Sequence, residues 1–160
     1  MEFKIGDKAV YPAYGIGVIE KIEHKEIAGE EHRFYILQII NSGVKLMIPI
    51  ASSHLAGMRE VITGKEADDI YSILKSKGRI NKKAWNRRFR EFNDKLKTGS
   101  ILDIAEVMRD LCTLKAGKDL SFGEKKMLDK ARSLIVSELS VVHSKNEKDI
   151  EQELSQLMAL

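Results

Sequence analysis

The chain has 160 residues, 43% hydrophobic and 32% charged, a composition typical of a soluble protein with one ordinary domain or two small ones. No stretch approaches the roughly 20 apolar residues of a membrane span. One cysteine, Cys112, excludes an internal disulfide, and the four scattered histidines lack the spacing of a structural zinc site. We therefore expect a cytoplasmic protein that carries no metal and no cofactor.

The first 50 or so residues have the pattern of short β-strands. Runs rich in β-branched residues occupy positions 8–12, 16–22, 33–40 and 44–50, with turn-forming residues between them. Four or five strands at this spacing predict a small antiparallel β-barrel of the SH3 or Tudor type.

The last of these runs is predicted to be an edge strand because it contains Pro49, and proline is tolerated at a sheet edge or a strand end. An edge strand is a surface on which another protein can dock. Side chains alternate along a strand, so one set at residues 45–49 fills the barrel and only the other is available to a partner.

From about Thr63 the hydrophobic period changes to that of α-helices. Helices are predicted at residues 65–77, 82–97, 101–115, 122–142 and 147–158. Thr63 with Glu66, and Ser121 with Glu124, have the spacing of a capping box at a helix start. The chain is thus predicted to be α+β, with the barrel at residues 1–56 and an all-α bundle of about five helices at residues 57–160.

Positive charge is concentrated between Lys75 and Lys97, where ten Lys or Arg residues accompany only two acids. This segment carries +8 while the whole chain carries +3, so the remaining residues carry a net charge of −5. A solvated helix face explains most such runs. Here two acids cannot neutralise ten cations, which favours a polyanionic partner such as nucleic acid.

The only tryptophan, Trp85, lies inside this basic segment and has two interpretations. With Phe89, Phe92 and Leu96 it falls within about 60° on a helix, the arrangement of a buried face. It also lies in the first helical turn among cations, where an indole can stack on bases or wedge between them. Periodicity favours the core, and the neighbouring charge favours nucleic acid.

The cations around Trp85 lie on two sides of the predicted helix. Lys83, Arg87 and Arg90 are on roughly the opposite side from Trp85, whereas Arg88 is about 60° away from it. Arginine suits phosphate because its guanidinium group can bind two oxygens at once. No Ser, His and Asp set and no isolated acid pair indicates a catalytic site, so we do not expect an enzyme.

Several motifs follow one another in an order typical of a known family. They are residues 3–7 (FKIGD), 10–12 (VYP) with Gly15, 85–88 (WNRR), 105–111 (AEVMRDL) and 120–128 (LSFGEKKML). Together they resemble the CarD/CdnL family of bacterial RNA polymerase-binding transcription regulators, in its stand-alone CdnL-like form, over essentially the whole chain.

The resemblance implies a function. A Tudor-like N-terminal domain would dock on the RNA polymerase β subunit, and a helical domain would contact promoter DNA at the upstream edge of the transcription bubble. A monomeric protein would thereby stabilise the open promoter complex, commonly at ribosomal RNA promoters and others read by the main sigma factor. The alternatives are a polymerase-independent, sequence-nonspecific architectural DNA-binding protein and, least favoured, a nucleic-acid-modifying enzyme.

The resemblance also assigns roles to residues. On the DNA side Trp85 would be the wedge and Arg87 and Arg88 would bind phosphates, and we expect Lys83 and Arg90 to contact DNA as well. On the polymerase side the assigned residues are Met47 and Pro49, which match the strand that contacts the β subunit, Lys25, where some members have arginine, and Leu37.

Overall fold

The computed structural model describes residues 2–78, 85–117 and 119–158, and only the backbone of Trp85 and Asn86. The chain divides into two compact units between Val61 and Ile62. The strands of the first unit are β1 (Lys8–Tyr11), β2 (Gly15–Ile27), β3 (Glu30–Ile39), β4 (Lys45–Pro49) and β5 (Arg59–Glu60). The helices of the second unit are α1 (Gly64–Lys75), α2 (Trp85–Lys97), α3 (Ile101–Gly117), α4 (Phe122–His143) and α5 (Glu147–Leu157).

The strands form one antiparallel sheet in the order β4-β3-β2-β1-β5. Within the described part of the chain β4 pairs with β3 alone and β5 with β1 alone, so the sheet is open. The α+β class is confirmed, whereas the prediction of a closed barrel is wrong. With only two residues, β5 is too short to extend the hydrogen bonding to β4 and close the sheet into a barrel. The strand that ends at Pro49 is an edge strand, as its proline predicts.

One face of the sheet carries the core of this unit, where Tyr35, Leu37 and Ile39 of β3 pack against Ile19 and Met58. The N-terminal arm is tied to this core because the N–H of Phe3 donates to the Tyr35 hydroxyl at 2.8 Å. Since Met58 belongs to the core and β5 pairs with β1, the sheet unit includes residues beyond the predicted boundary at 56.

The hairpin of β2 and β3 is longer than predicted and pairs without interruption from Lys21 to its tip. Its turn has positive φ at Ala28 (52°) and Gly29 (83°), the geometry of a two-residue turn that continues the strand twist. The extension was missed because residues 23–26 are polar and have no alternation, since both faces of the ribbon are largely exposed to solvent there.

The helices agree closely with those predicted, and both capping boxes are present at the starts of α1 and α4. The helices bury a common core to which all five contribute, and Cys112 lies in it. Where this unit begins, the N–H of Ile62 donates to the buried carboxylate of Glu138 at 2.9 Å. None of the described helices is long and apolar enough to cross a membrane.

Candidate nucleic-acid and protein interfaces

Helix α2 has one buried and one cationic face. Phe92 and Leu96 are buried and Phe89 is partly buried against the same core, which confirms the predicted apolar stripe at these three positions. Arg87 and Arg90 are exposed on the other side of the helix, which we call its cationic face, and the acid Asp94 is exposed on the same side about one turn further along. The backbone of Trp85 begins the helix, but its side chain lies outside the described residues, as does the whole of Lys83.

Arg88 is not on the cationic face of α2. Its Nη2 donates to Oε2 of Glu124 at 3.2 Å, and the two side chains are only 12% and 1% exposed. The other carboxylate oxygen of Glu124 accepts the backbone N–H of Ser121 at 3.0 Å, within the capping box of α4. Arg88 is therefore held in an ion pair within the helical unit, which argues against its assignment to DNA phosphates.

Beside this ion pair, Phe89 lies directly on the first turn of α4. A Cβ added to Gly123 would come within 2.8 Å of the Phe89 ring, so only glycine leaves room for it. Arg88 of the WNRR motif, the adjacent Phe89 and the LSFGEKKML motif are thus parts of one packing site. It fixes the first turns of α2 against the N-terminus of α4.

The AEVMRDL motif of α3 anchors the chain that leads from α1 towards α2. Arg109 donates from Nη1 to the hydroxyl of Ser76 at 3.0 Å and from Nε to Asp110 at 3.0 Å. Gly78 lies so close to Thr113 that an added Cβ would be 2.0 Å from its hydroxyl oxygen. The contacts of Ser76 with Arg109 and of Gly78 with Thr113 fix the chain shortly before α2 begins.

In the sheet unit, three of the four predicted polymerase contacts share one face. Strand pairing places Pro49 opposite Phe34, Met47 opposite Ile36 and Lys25 opposite His32. His32, Phe34 and Ile36 are alternate residues of β3, so their side chains and those of their partners are on the same face. We call this surface, formed by Lys25, Phe34, Ile36, Met47 and Pro49, the outer face. It is opposite the face that carries the core.

Leu37 does not belong to the outer face. It alternates with Ile36, is fully buried, and packs in the core beside Ile19. Its side chain has no surface to offer a partner, so its assignment as a contact residue is corrected.

Phe34 and Ile36 were missed by the sequence interpretation although they lie between Lys25 and Met47 on this face. Met47 is 46% exposed, while Ile36 beside it is buried. Two ion pairs flank these apolar residues, Lys21 with Glu23 at 2.9 Å and Lys45 with Glu20 at 3.2 Å. The alternation of β3 was the available signal, because a strand that buries Tyr35 and Leu37 must turn Phe34 and Ile36 the other way.

The described residues contain no group of three or more His, Cys, Asp or Glu side chains that could hold a metal ion. What they present is an apolar patch on an edge strand in one unit and a cationic helix face in the other. Such surfaces suit macromolecular partners.

Comparison with known proteins shows the class of protein to which the chain belongs. The chain is 38% identical over 151 residues, 92% of its length, to "Putative transcription factor YdeB" of Bacillus subtilis (strain 168), of which it covers 97%. Family models for the CarD-like/TRCF RID domain and for the CarD C-terminal domain match residues 3–62 and 69–155. The chain therefore belongs to the CarD/CdnL family, whose members are transcription regulators. The resemblance seen in the sequence is confirmed.

Among solved structures, "CdnLNt from Myxoccoccus xanthus" is 48% identical, with 39% of this chain and 87% of that chain covered and a TM-score of 0.33.

Proposed function

We propose that this transcription regulator docks on the β subunit of RNA polymerase through the outer face of its sheet. From there, as a monomer, it stabilises the open promoter complex through α2 at the upstream edge of the bubble. Ribosomal RNA and other housekeeping promoters are the proposed targets, on the strength of the family resemblance. The observation that carries the proposal is that Lys25 of β2 shares one face of the sheet with Met47 and Pro49 of the edge strand β4.

The docking step is supported by the chemistry of that face. The half-exposed side chain of Met47 offers apolar area beside the partly exposed Phe34. Strand β4 pairs on one side only within the described residues, so its other side can receive a partner's strand. Lys25, on the same face, can contact an acidic group of the partner.

The DNA step is supported by the cationic face of α2. Arg87 and Arg90 are exposed, and the first turn of the helix contains no acid. A wedge such as the indole of Trp85 binds only where base steps have separated, so it adds binding free energy to the open state alone. A difference of about 1.4 kcal/mol between the two states shifts their ratio roughly tenfold.

The proposal is tested by the half-life of open complexes formed with bacterial RNA polymerase, together with the affinity of the protein for polymerase alone. Met47→Glu places a charge on the outer face and is expected to weaken polymerase binding tenfold or more, and with it the effect on half-life. Trp85→Ala is expected to leave polymerase binding intact but shorten the half-life several-fold. Ile5→Glu is the control, because Ile5 is exposed and precedes β1, which β2 and β3 separate from β4.

Two results would contradict the proposal. If Met47→Glu binds polymerase as tightly as Ile5→Glu, the outer face is not the docking surface. If Trp85→Ala instead lowers the melting temperature by many degrees, the indole is part of the core, since truncating a buried tryptophan costs about 3–5 kcal/mol.

A further inference from the structure

Met47 places an exposed sulfur atom on the outer face of the sheet. Its side chain is 46% exposed, whereas Met58, Met108 and Met127 are at most 5% exposed and Met158 is partly buried against the helical core. Since oxidation of sulfur in proteins follows exposure, Met47 is the methionine that an oxidant reaches most easily in the described part of the chain.

The single cysteine is protected from the same chemistry. Cys112 lies in the core of the helical unit, and burial raises the pKa of its thiol. The thiolate is the form that oxidants attack, so a buried thiol with a raised pKa reacts slowly. A mild oxidant should therefore modify Met47 before Cys112.

Oxidation at this position would change the character of the outer face. Met47 lies opposite the buried Ile36 and is the most exposed of the large apolar side chains on this face. A peroxide transfers one oxygen atom to the thioether: an S–O bond forms, the O–O bond breaks, sulfur loses two electrons and the peroxide is reduced to water. The sulfoxide is polar, whereas the thioether is apolar and adapts to an apolar partner.

We propose that Met47 is a site of reversible oxidation that controls docking, so that its conversion to the sulfoxide by a peroxide weakens binding to RNA polymerase. The inference rests on the proposed function, because it requires the outer face to be the docking surface. A partner surface that fits the thioether must bury the sulfoxide oxygen without a hydrogen bond, which costs binding free energy.

The modification can be reversed. Methionine sulfoxide reductases, one for each epimer of the sulfoxide, return the thioether. A dithiol supplies the two electrons and becomes a disulfide, and the oxygen atom leaves as water. Stabilisation of the open complex would thus decrease under oxidising conditions and recover afterwards.

The test treats the protein with hydrogen peroxide until Met47 is converted, with peptide mass spectrometry to locate each added oxygen. Met47 should be oxidised before Met58 and Met158, and the treated protein should bind polymerase about fivefold or more weakly. Treatment with both reductases should restore the affinity. Met158→Leu is the matched control and should lose affinity on treatment as the wild type does. The affinity of Met47→Leu, whatever its untreated value, should not change on treatment.

Three results would overturn the inference. Oxidation of Met47 no faster than that of the buried Met58 would show that exposure does not select it. Unchanged affinity of the protein with sulfoxide at Met47 would show that docking tolerates the modification. An equal loss of affinity in treated Met47→Leu would assign the effect to another residue.

Met47→Glu separates this inference from the proposed function. If Met47→Glu weakens polymerase binding and the sulfoxide does not, the docking surface stands and this inference fails. If Met47→Glu binds as tightly as Ile5→Glu, the proposed docking surface itself is wrong, even where peroxide modifies Met47 first.

Discussion

Arg88 and Glu124 form an ion pair in which the carboxylate is almost completely inaccessible to water. Loss of the cation would leave the carboxylate buried without its Arg88 partner, which is strongly destabilising for ion pairs of this kind. Arg87, the preceding residue, is exposed. Two adjacent arginines in one basic run therefore have different environments.

We predict that Arg88→Ala lowers the free energy of unfolding by about 2–5 kcal/mol, whereas Arg87→Ala changes it by no more than about 0.5 kcal/mol. Arg87→Ala should instead weaken DNA binding and reduce its salt dependence. Urea unfolding and fluorescence anisotropy with labelled DNA measure the two effects. If Arg88→Ala is as stable as the wild type but binds DNA more weakly, Arg88 contacts DNA phosphates after all.

The sequence contained a partial signal for this difference. Helical geometry places Arg88 about 60° from Trp85, at the border of the apolar stripe, and Arg87 on the opposite side. What the sequence could not show is the partner, because Glu124 is 36 positions away along the chain and belongs to another helix. Leu37 is a similar case: alternation defines two faces of β3, and only the packing identifies which one is buried.

At the scale of elements, α5 is joined to the rest of the bundle by a polar cluster. The hydroxyl of Tyr71 in α1 donates to Glu153 of α5 at 3.3 Å, and Lys145 donates to the same carboxylate at 2.5 Å. Burial, and then the negative charge of Glu153, raise the pKa of Tyr71 to about 12. The hydrogen bond from Lys145 is the main cause that lowers the pKa of Glu153.

The raised pKa of Tyr71 predicts a loss of stability in alkali. Unfolded tyrosine titrates near pH 10, so above that pH the unfolded state releases a proton that the folded state retains. The stabilisation is complete below about pH 10 and is lost as the pH rises towards 12. Relative to Tyr71→Phe, the wild type should lose between a few tenths and about 1 kcal/mol by pH 11, allowing for solvent screening.

Urea unfolding of both proteins from pH 8 to pH 11 measures this difference. The lysines titrate in the same pH range, but both proteins contain them, so their contribution to the difference largely cancels. A difference in unfolding free energy that does not change with pH would contradict the role of Tyr71.

Elements were predicted best where a local signal marks both their type and their start. The capping boxes at Thr63 and Ser121 fixed the starts of α1 and α4, since both side chains bond within their own first turn. The strand β5 was missed because two residues have no periodicity, and its existence depends on pairing with β1. Whether the sheet closes likewise depends on pairing between its edge strands β4 and β5, and the local sequence pattern does not show such pairing.

At the scale of the whole molecule, the proposed contacts are divided between two compact units, the outer face in the first and the DNA contacts in the second. When one unit binds polymerase, binding of the other to promoter DNA becomes intramolecular, and its effective concentration can reach millimolar. A weak DNA contact is then sufficient, which agrees with the small number of exposed cations described on α2.

We therefore predict that the protein alone binds DNA weakly and that the affinity falls steeply between about 50 and 200 mM salt, because the contacts are mainly to phosphates. With polymerase present, apparent affinity for the same promoter fragment should rise by about 10²–10⁴-fold. Met47→Glu should remove most of this gain without changing binding to DNA alone, since Met47 and α2 belong to different units. Anisotropy titrations with and without polymerase compare the two conditions. Tight binding to duplex DNA without polymerase, unaffected by Met47→Glu, would favour a polymerase-independent architectural protein, because tethering would then contribute nothing to occupancy of the promoter.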